Sequence, residues 1–276
     1  MRYRTQTAEI VEPVTRKGKM GIVCLPKVVR CLGMAAVVAI VGSSAETAWA
    51  VPKETSAEKA ERLHQQASPG LFNAWTFDRD TVGEVPKGFV VMATGQESGG
   101  TWKIEAQSGS PSSPHVLVGT SQCATCVELL VAQGFQYEYP ELVLRLHQGS
   151  QAASGQVGVV FGLKDQKNFY ATVVDLAQQS IEVVRVIDGN ETVIGRGALK
   201  VKPVEWHTLR VQRNTIISKD FVETFFDGRL ALSVEDQTLG VGQIGLMVRG
   251  EIAARFDNFN AAPLYSSRPL SAPAAY

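Results

Sequence analysis

The chain has 276 residues, 27 Lys and Arg against 27 Asp and Glu, four cysteines, and 45% hydrophobic side chains. That composition supplies a full apolar core and speaks against wholesale disorder, while a formal charge of zero without a basic stripe speaks against phosphate-driven nucleic-acid binding. Four cysteines are too few for a disulfide scaffold, and no apolar run reaches the roughly 20 residues of a membrane-spanning helix.

The N-terminus reads as an address. Arg16, Lys17, Lys19, Lys27 and Arg30 precede an apolar run over 31–41 (CLGMAAVVAIV), and Ala48-Trp49-Ala50 supplies a small-residue cleavage site. As a helix that run spans about 16 Å against a hydrocarbon core of about 30 Å, so a cleaved signal peptide over 1–50 is expected rather than an anchor. Met20 begins a leader of more ordinary length. Cleavage after Ala50 sends the protein to the periplasm or the exterior. The mature chain then has 20 basic and 24 acidic residues, and keeps only Cys123 and Cys126, in an oxidising compartment.

Residues 51–70 are polar and rich in helix formers, with Thr55 and Glu58 spaced as a capping box and Ser68-Pro69-Gly70 as a stop; a linker or short helix is expected. From 71 to 263 the apolar segments are short, rich in Val, Ile, Phe and Tyr, and bounded by Gly, Asp, Asn, Ser or Pro. Read as strands in chain order, they are NAWTF, GFVVMA, TWKIEA, HVLV, CVELLVA, ELVLRLHQ, QVGVVFGL, NFYATVVD, IEVVRVI, ETVIGR, EWHTLRVQR, FVETFFD, RLALSVE, QIGLMVR and AARFDNFN. Leu142, Leu144 and Leu146 alternate with Val143, Arg145 and His147, a core face opposing an outer one. The same alternation assigns His207 to a strand surface. Asp188-Gly189 and Asp227-Gly228 are suited to the positive φ of hairpin turns. With no long 3.6-residue periodicity, crossover helices are missing, and an all-β antiparallel two-sheet sandwich is expected over 71–263, followed by a tail over 264–276.

The order of the pieces Trp75-Thr76-Phe77-Asp78, GQVGVVFGLKDQKNFYATVVD, EWHTLRVQR, FFDGRLALSVED, GQIGLMV and RFDNF resembles the concanavalin A-like lectin/glucanase jelly roll. Specifically, it resembles the branch shared by laminin-G-type modules and 3-keto-disaccharide hydrolase domains. The resemblance implies a curved sandwich whose concave face holds sugar in relatives, on a fold that serves enzymes, lectins and adhesion modules alike.

Chemistry is harder to place. A glycosidase needs two facing carboxyl groups, and the laminarinase-type E-x-D-x-x-E strand is absent, since no Glu here is followed two positions later by Asp. Enzyme status therefore stays open. Arg145, His147, Tyr170, Thr172 and Arg185 are the candidates for a sugar groove combining an aromatic platform with planar polar groups. Asp78, Asp80, Asp257 and Asn258 converge if the first and last strands pair around Phe77, which would offer oxygen ligands to a structural calcium. No other cofactor is expected. Cys123 and Cys126 read as a local disulfide, because the partners for haem or zinc are missing. The leading expectation is an exported, non-catalytic module that binds carbohydrate or a cell-envelope polymer. A keto-disaccharide-type glycoside hydrolase and an adhesion module are the alternatives.

Overall fold

The computed structural model describes residues 72–94, 99–148, 154–202 and 204–264; the expected leader (1–50), the linker (51–70) and the tail beyond residue 264 lie outside them. Lys53–Tyr276 forms one compact unit. The strands are β1 (Asn73–Trp75), β2 (Phe89–Thr94), β3 (Thr101–Ala106), β4 (His115–Ser121), β5 (Val127–Ala132), β6 (Pro140–Gln148) and β7 (Ser154–Asp165). They continue with β8 (Asn168–Asp175), β9 (Ser180–Ile187), β10 (Asn190–Ala198), β11 (His207–Ile216), β12 (Lys219–Phe226), β13 (Arg229–Glu235) and β14 (Gln243–Pro263). No helix occurs among the described residues.

All strand pairings are antiparallel and fall into two sheets. Sheet A runs β3-β4-β14-β6-β11-β12-β13, with β1 beside the end of β14. Sheet B runs β2-β5-β14-β7-β8-β9-β10. The last strand belongs to both. Gly245 to Arg249 pair with β5 and β7, whereas Ile252 to Phe256 pair with β4. Gly250 takes φ 82° at the crossing, a conformation that only glycine adopts cheaply. The sequence pattern breaks at that glycine, which is why one 21-residue strand reads as two segments.

Between the sheets lies the main core. Leu142, Leu144 and Leu146 from sheet A face Leu130, Val157 and Leu246 from sheet B, all fully buried, each contributing about 1.5–3 kcal/mol. Aromatic pairs close the ends: Trp75 stacks on Phe259 at 5.2 Å and Trp102 tilts against Phe256 at 5.6 Å. The first strand does pair with the last, at Trp75 and Phe259; Phe77 lies beyond the ladder with φ 65°. Asp188-Gly189 and Asp227-Gly228 both take positive φ at both residues, as two-residue hairpins of this twist require.

His207 is corrected by the register. It pairs with Leu146, points inward, and is 3% exposed against Phe226. It is the first residue of β11 and shares a face with Leu209 and Val211, two and four positions on and both fully buried, so the strand's own alternation turns it inward.

The outward faces of the two sheets differ. On sheet A, Glu141, Val143, Arg145, His147, Arg210 and Gln212 are mostly half-buried, and Glu141 ties Arg210 (3.1 Å) to Gln212 (2.8 Å). On sheet B, the outward side chains include Leu129, Val131, Phe169, Val173, Val184 and Met247, all buried, and they form a second apolar cluster. Gly158 sits in that face because an ideal Cβ there would lie 1.9 Å from the Thr172 carbonyl oxygen on β8.

Candidate functional site

The five residues proposed for a sugar groove separate onto two surfaces. Arg145 and His147 project from β6 on the outward face of sheet A, in register with Asp257 and Arg255 of β14. Trp206 packs on the His147 ring at 5.4 Å, and His147 Nε2 lies 3.0 Å from the Val204 carbonyl. Burial, with the nearby Arg255 charge adding to it, holds this imidazole below its ordinary value of 6.5. Tyr170, Thr172 and Arg185 lie instead on the inward face of sheet B. Tyr170 stacks on Phe161 at 5.3 Å and donates its hydroxyl proton to Asp236, while the Leu239 amide donates to the tyrosine oxygen at 2.9 Å. Burial and the Asp236 acceptor push the phenol up to about 12. Arg185 completes the knot, donating to Asp236 at 2.5 Å and to Thr238 at 2.9 Å.

Beside this knot, Arg213 is 2% exposed, donates to Asp220 at 2.8 Å and to the Gly240 carbonyl at 3.1 Å, and lies over the rings of Tyr139 and Tyr170. These groups tie the loop before β14 to sheets A and B. They are occupied by one another rather than turned toward a ligand.

The four residues considered for calcium are drawn partly together. Asp257 is fully buried, and its pKa is raised by burial with the Asp78 charge contributing. Its oxygens accept from the Ser112 amide (2.7 Å), the Ser112 hydroxyl (2.6 Å) and the Asn258 amide (2.7 Å). Asp78 accepts from the His115 amide at 3.2 Å, and Asp80 from the Lys87 amide at 3.1 Å. Asp257 therefore fastens the loop before β4 to β14, while Asp78 and Asp80 each accept from a backbone amide, and no group of three or more His, Cys, Asp or Glu side chains placed to hold a metal occurs among the described residues. Cys123 and Cys126 are joined by a disulfide with Cα atoms 5.1 Å apart.

A groove of about 880 Å³ opens where the edge strands of the two sheets meet, β10 of sheet B and β13 of sheet A. The edges touch there: an ideal Cβ on Gly195 would lie 2.4 Å from Val234 Cγ1. Leu199, Val201 and Ala231 supply apolar lining, and Leu230 stands 56% exposed at the rim. At the inner end, the ring nitrogens of His207 lie 2.7 Å from Asp227 Oδ2 and 2.8 Å from the Lys202 carbonyl oxygen. Asp227 Oδ1 also accepts from the Thr208 amide at 2.9 Å. Glu205 is engaged by Lys202 at 2.9 Å. Lys200 and Arg229 have no ion-pair partner among the described residues, and both are exposed. The groove thus offers two unengaged cations above an apolar wall, beside two carboxylates already bound.

Lys200, Lys202 and Arg229 are not singled out by the sequence pattern, and Glu205 reads in it only as a lone strand carboxylate facing solvent. Each comes from a connector or a hairpin end, and only the apposition of two sheet edges brings them together. The one available signal is the density of charge over 200–205 between strands.

A second polar cluster lies at one end of the outward face of sheet B. Arg249 donates to Gln156 and Glu191 at 2.5 Å each and lies 3.6 Å from Glu182, which also accepts from Arg196 at 2.7 Å. The carboxylates come from different strands, but each is held by arginine.

No family model and no curated protein matches the chain. Among solved structures, the chain is similar to a carbohydrate-binding module, CBM66, from Bacillus subtilis. The TM-score is 0.50 with 18% identity, over 63% of this chain and 95% of that one. It is also similar to a cellulose induced protein, Cip1, with TM-score 0.52 and 10% identity over 71% of this chain and 100% of that one. These likenesses show the fold alone, an antiparallel β-sandwich.

Proposed function

We propose that the protein is an exported, non-catalytic module that binds carbohydrate or a cell-envelope polymer carrying acidic groups, in the groove between β10 and β13. One observation carries the reading: Lys200 and Arg229 have no ion-pair partner among the described residues and line, with Leu199, Val201 and Ala231, a groove of about 880 Å³. A sugar chain presents C–H faces and hydroxyls together, which suits an apolar wall flanked by planar and charged donors. Unpaired Arg and Lys favour carboxylate- or sulfate-bearing sugars over neutral ones. Glu205 and Asp227 already hold Lys202 and His207, which favours binding over acid–base chemistry. That the Bacillus subtilis neighbour is a carbohydrate-binding module supports the same reading. Export is supported by the N-terminal charge and apolar pattern and by the Cys123–Cys126 disulfide, a bond that persists in oxidising compartments.

A glycan array of neutral and acidic polysaccharides tests the reading. Retention on acidic glycans, weakened by salt and by Arg229→Ala or Lys200→Ala with the fold intact, is the expected result. Binding that ignores both substitutions would move the site elsewhere. Release of reducing sugar from keto-glycosides or disaccharides would replace the module by a hydrolase. N-terminal sequencing of the exported chain, expected to start at Val51, tests the address.

A further inference from the structure

On the outward face of sheet A, the charged side chains around the middle strands are mostly engaged with one another. Lys103 is 3.0 Å from Glu105, Arg210 is 3.1 Å from Glu141, Asn214 donates to Glu223 at 2.9 Å, and Asp257 accepts from Ser112 and Asn258. Arg145 and Arg255 differ. Neither guanidinium has a hydrogen-bond or ion-pair partner among the described residues, and Arg145 Nε is buried without an acceptor. A guanidinium partly stripped of water and given no acceptor is costly, so what this spot lacks is an anion.

The register sets the two side by side. Arg255 of β14 pairs with His147 of β6, and Asp257 pairs with Arg145, so four outward residues make one tile in which the arginines occupy a diagonal. Diagonal partners lie about 7–8 Å apart, a gap that two long side chains close onto a single group. The other diagonal is already tied down. The loop between β3 and β4 holds Asp257 through Ser112, and the connector before β11 holds His147 through the Val204 carbonyl at 3.0 Å. Burial, and after it the Arg255 charge, hold the His147 imidazole below its ordinary 6.5, which places Arg255 beside that ring. Half-buried Trp206 packs on the same ring at 5.4 Å and adds an aromatic wall.

We infer that Arg145 and Arg255 form a site for the tetrahedral anion of a phosphate or sulfate monoester, separate from the groove between β10 and β13, with Trp206 beside the organic part of the ester. A carboxylate is satisfied by one guanidinium fork, whereas two forks match the three free oxygens of a monoester.

Titration of the exported chain with methyl phosphate, methyl sulfate and acetate at fixed ionic strength tests the site, read by the ring resonances of His147 and by calorimetry. Saturable binding of a monoester, tighter than acetate and with His147 shifting at the calorimetric midpoint, is expected; the tighter ester names the source. Arg145→Gln and Arg255→Gln should each weaken it about tenfold or more, while Arg210→Gln, on the same face but engaged by Glu141, should leave it unchanged. No saturable binding, acetate held as tightly, or an affinity untouched by both substitutions would overturn the inference, as would an equal loss in Arg210→Gln. The His147 shifts come from the unsubstituted chain, so the outcome stands even where a variant loses stability.

Discussion

The outward faces of sheets A and B are both built from antiparallel strands sharing β14, yet one is wet and the other dry. On sheet A, polar and charged groups such as Glu141, Arg210 and Gln212 bond to one another while remaining half in solvent. On sheet B, the equivalent positions hold Leu129, Val173 and Met247, with no exposure to speak of. The same backbone arrangement thus carries a solvated surface in one layer and a buried interface in the other. The choice is made entirely by which side chains alternate with the core row.

Substitutions at matched sites break this comparison most sharply. Met247→Asp places an unpaired carboxylate in the dry face and is expected to cost more than about 3 kcal/mol, enough to unfold the domain or lower Tm by several degrees. Val143→Asp on the wet face is expected to cost less than about 1 kcal/mol. Similar losses at both sites, measured by urea denaturation, would erase the distinction. Gly158→Ala follows, since its Cβ meets the Thr172 carbonyl oxygen at 1.9 Å; a loss of about 1–3 kcal/mol is expected.

Smaller effects belong to the wet face. Burial lowers the His147 pKa in the folded state below its ordinary 6.5, so the unfolded chain binds the extra proton more readily. Its stabilising contribution is complete above about pH 6.5 and is lost as pH falls through the lowered folded value. Tm should therefore drop between about pH 7 and 5, and His147→Gln should flatten that part of the profile. Arg210→Ala, at a half-exposed pair with Glu141, should cost no more than about 1 kcal/mol and less at high salt.

Most strands are legible in the sequence because their residues alternate or are bounded by turn formers. Leu142, Leu144 and Leu146 announce the core, and Asp227-Gly228 announces its hairpin. The dry face also leaves a trace, as continuous apolar runs such as LLVA, the mark of strands covered on both sides. Alternation alone does not say which of two buried faces is the inner one. Tyr170 and Arg185 therefore read as groove residues although they face the other sheet. The groove at β10 and β13 is invisible for a different reason: its cations and its apolar wall are separated along the chain and meet only when the two edges close.

The long final strand has a consequence for how the molecule comes into being. Because β14 is the central ribbon of both layers, neither layer has its middle until the C-terminal portion of the chain is available. A polypeptide still emerging from the ribosome or a translocation channel has only flanking hairpins to form, and their closure waits on contacts of high sequence separation. A stop codon anywhere before Gln243 would remove the keystone from both layers at once, leaving unpaired edges on β4, β5, β6 and β7.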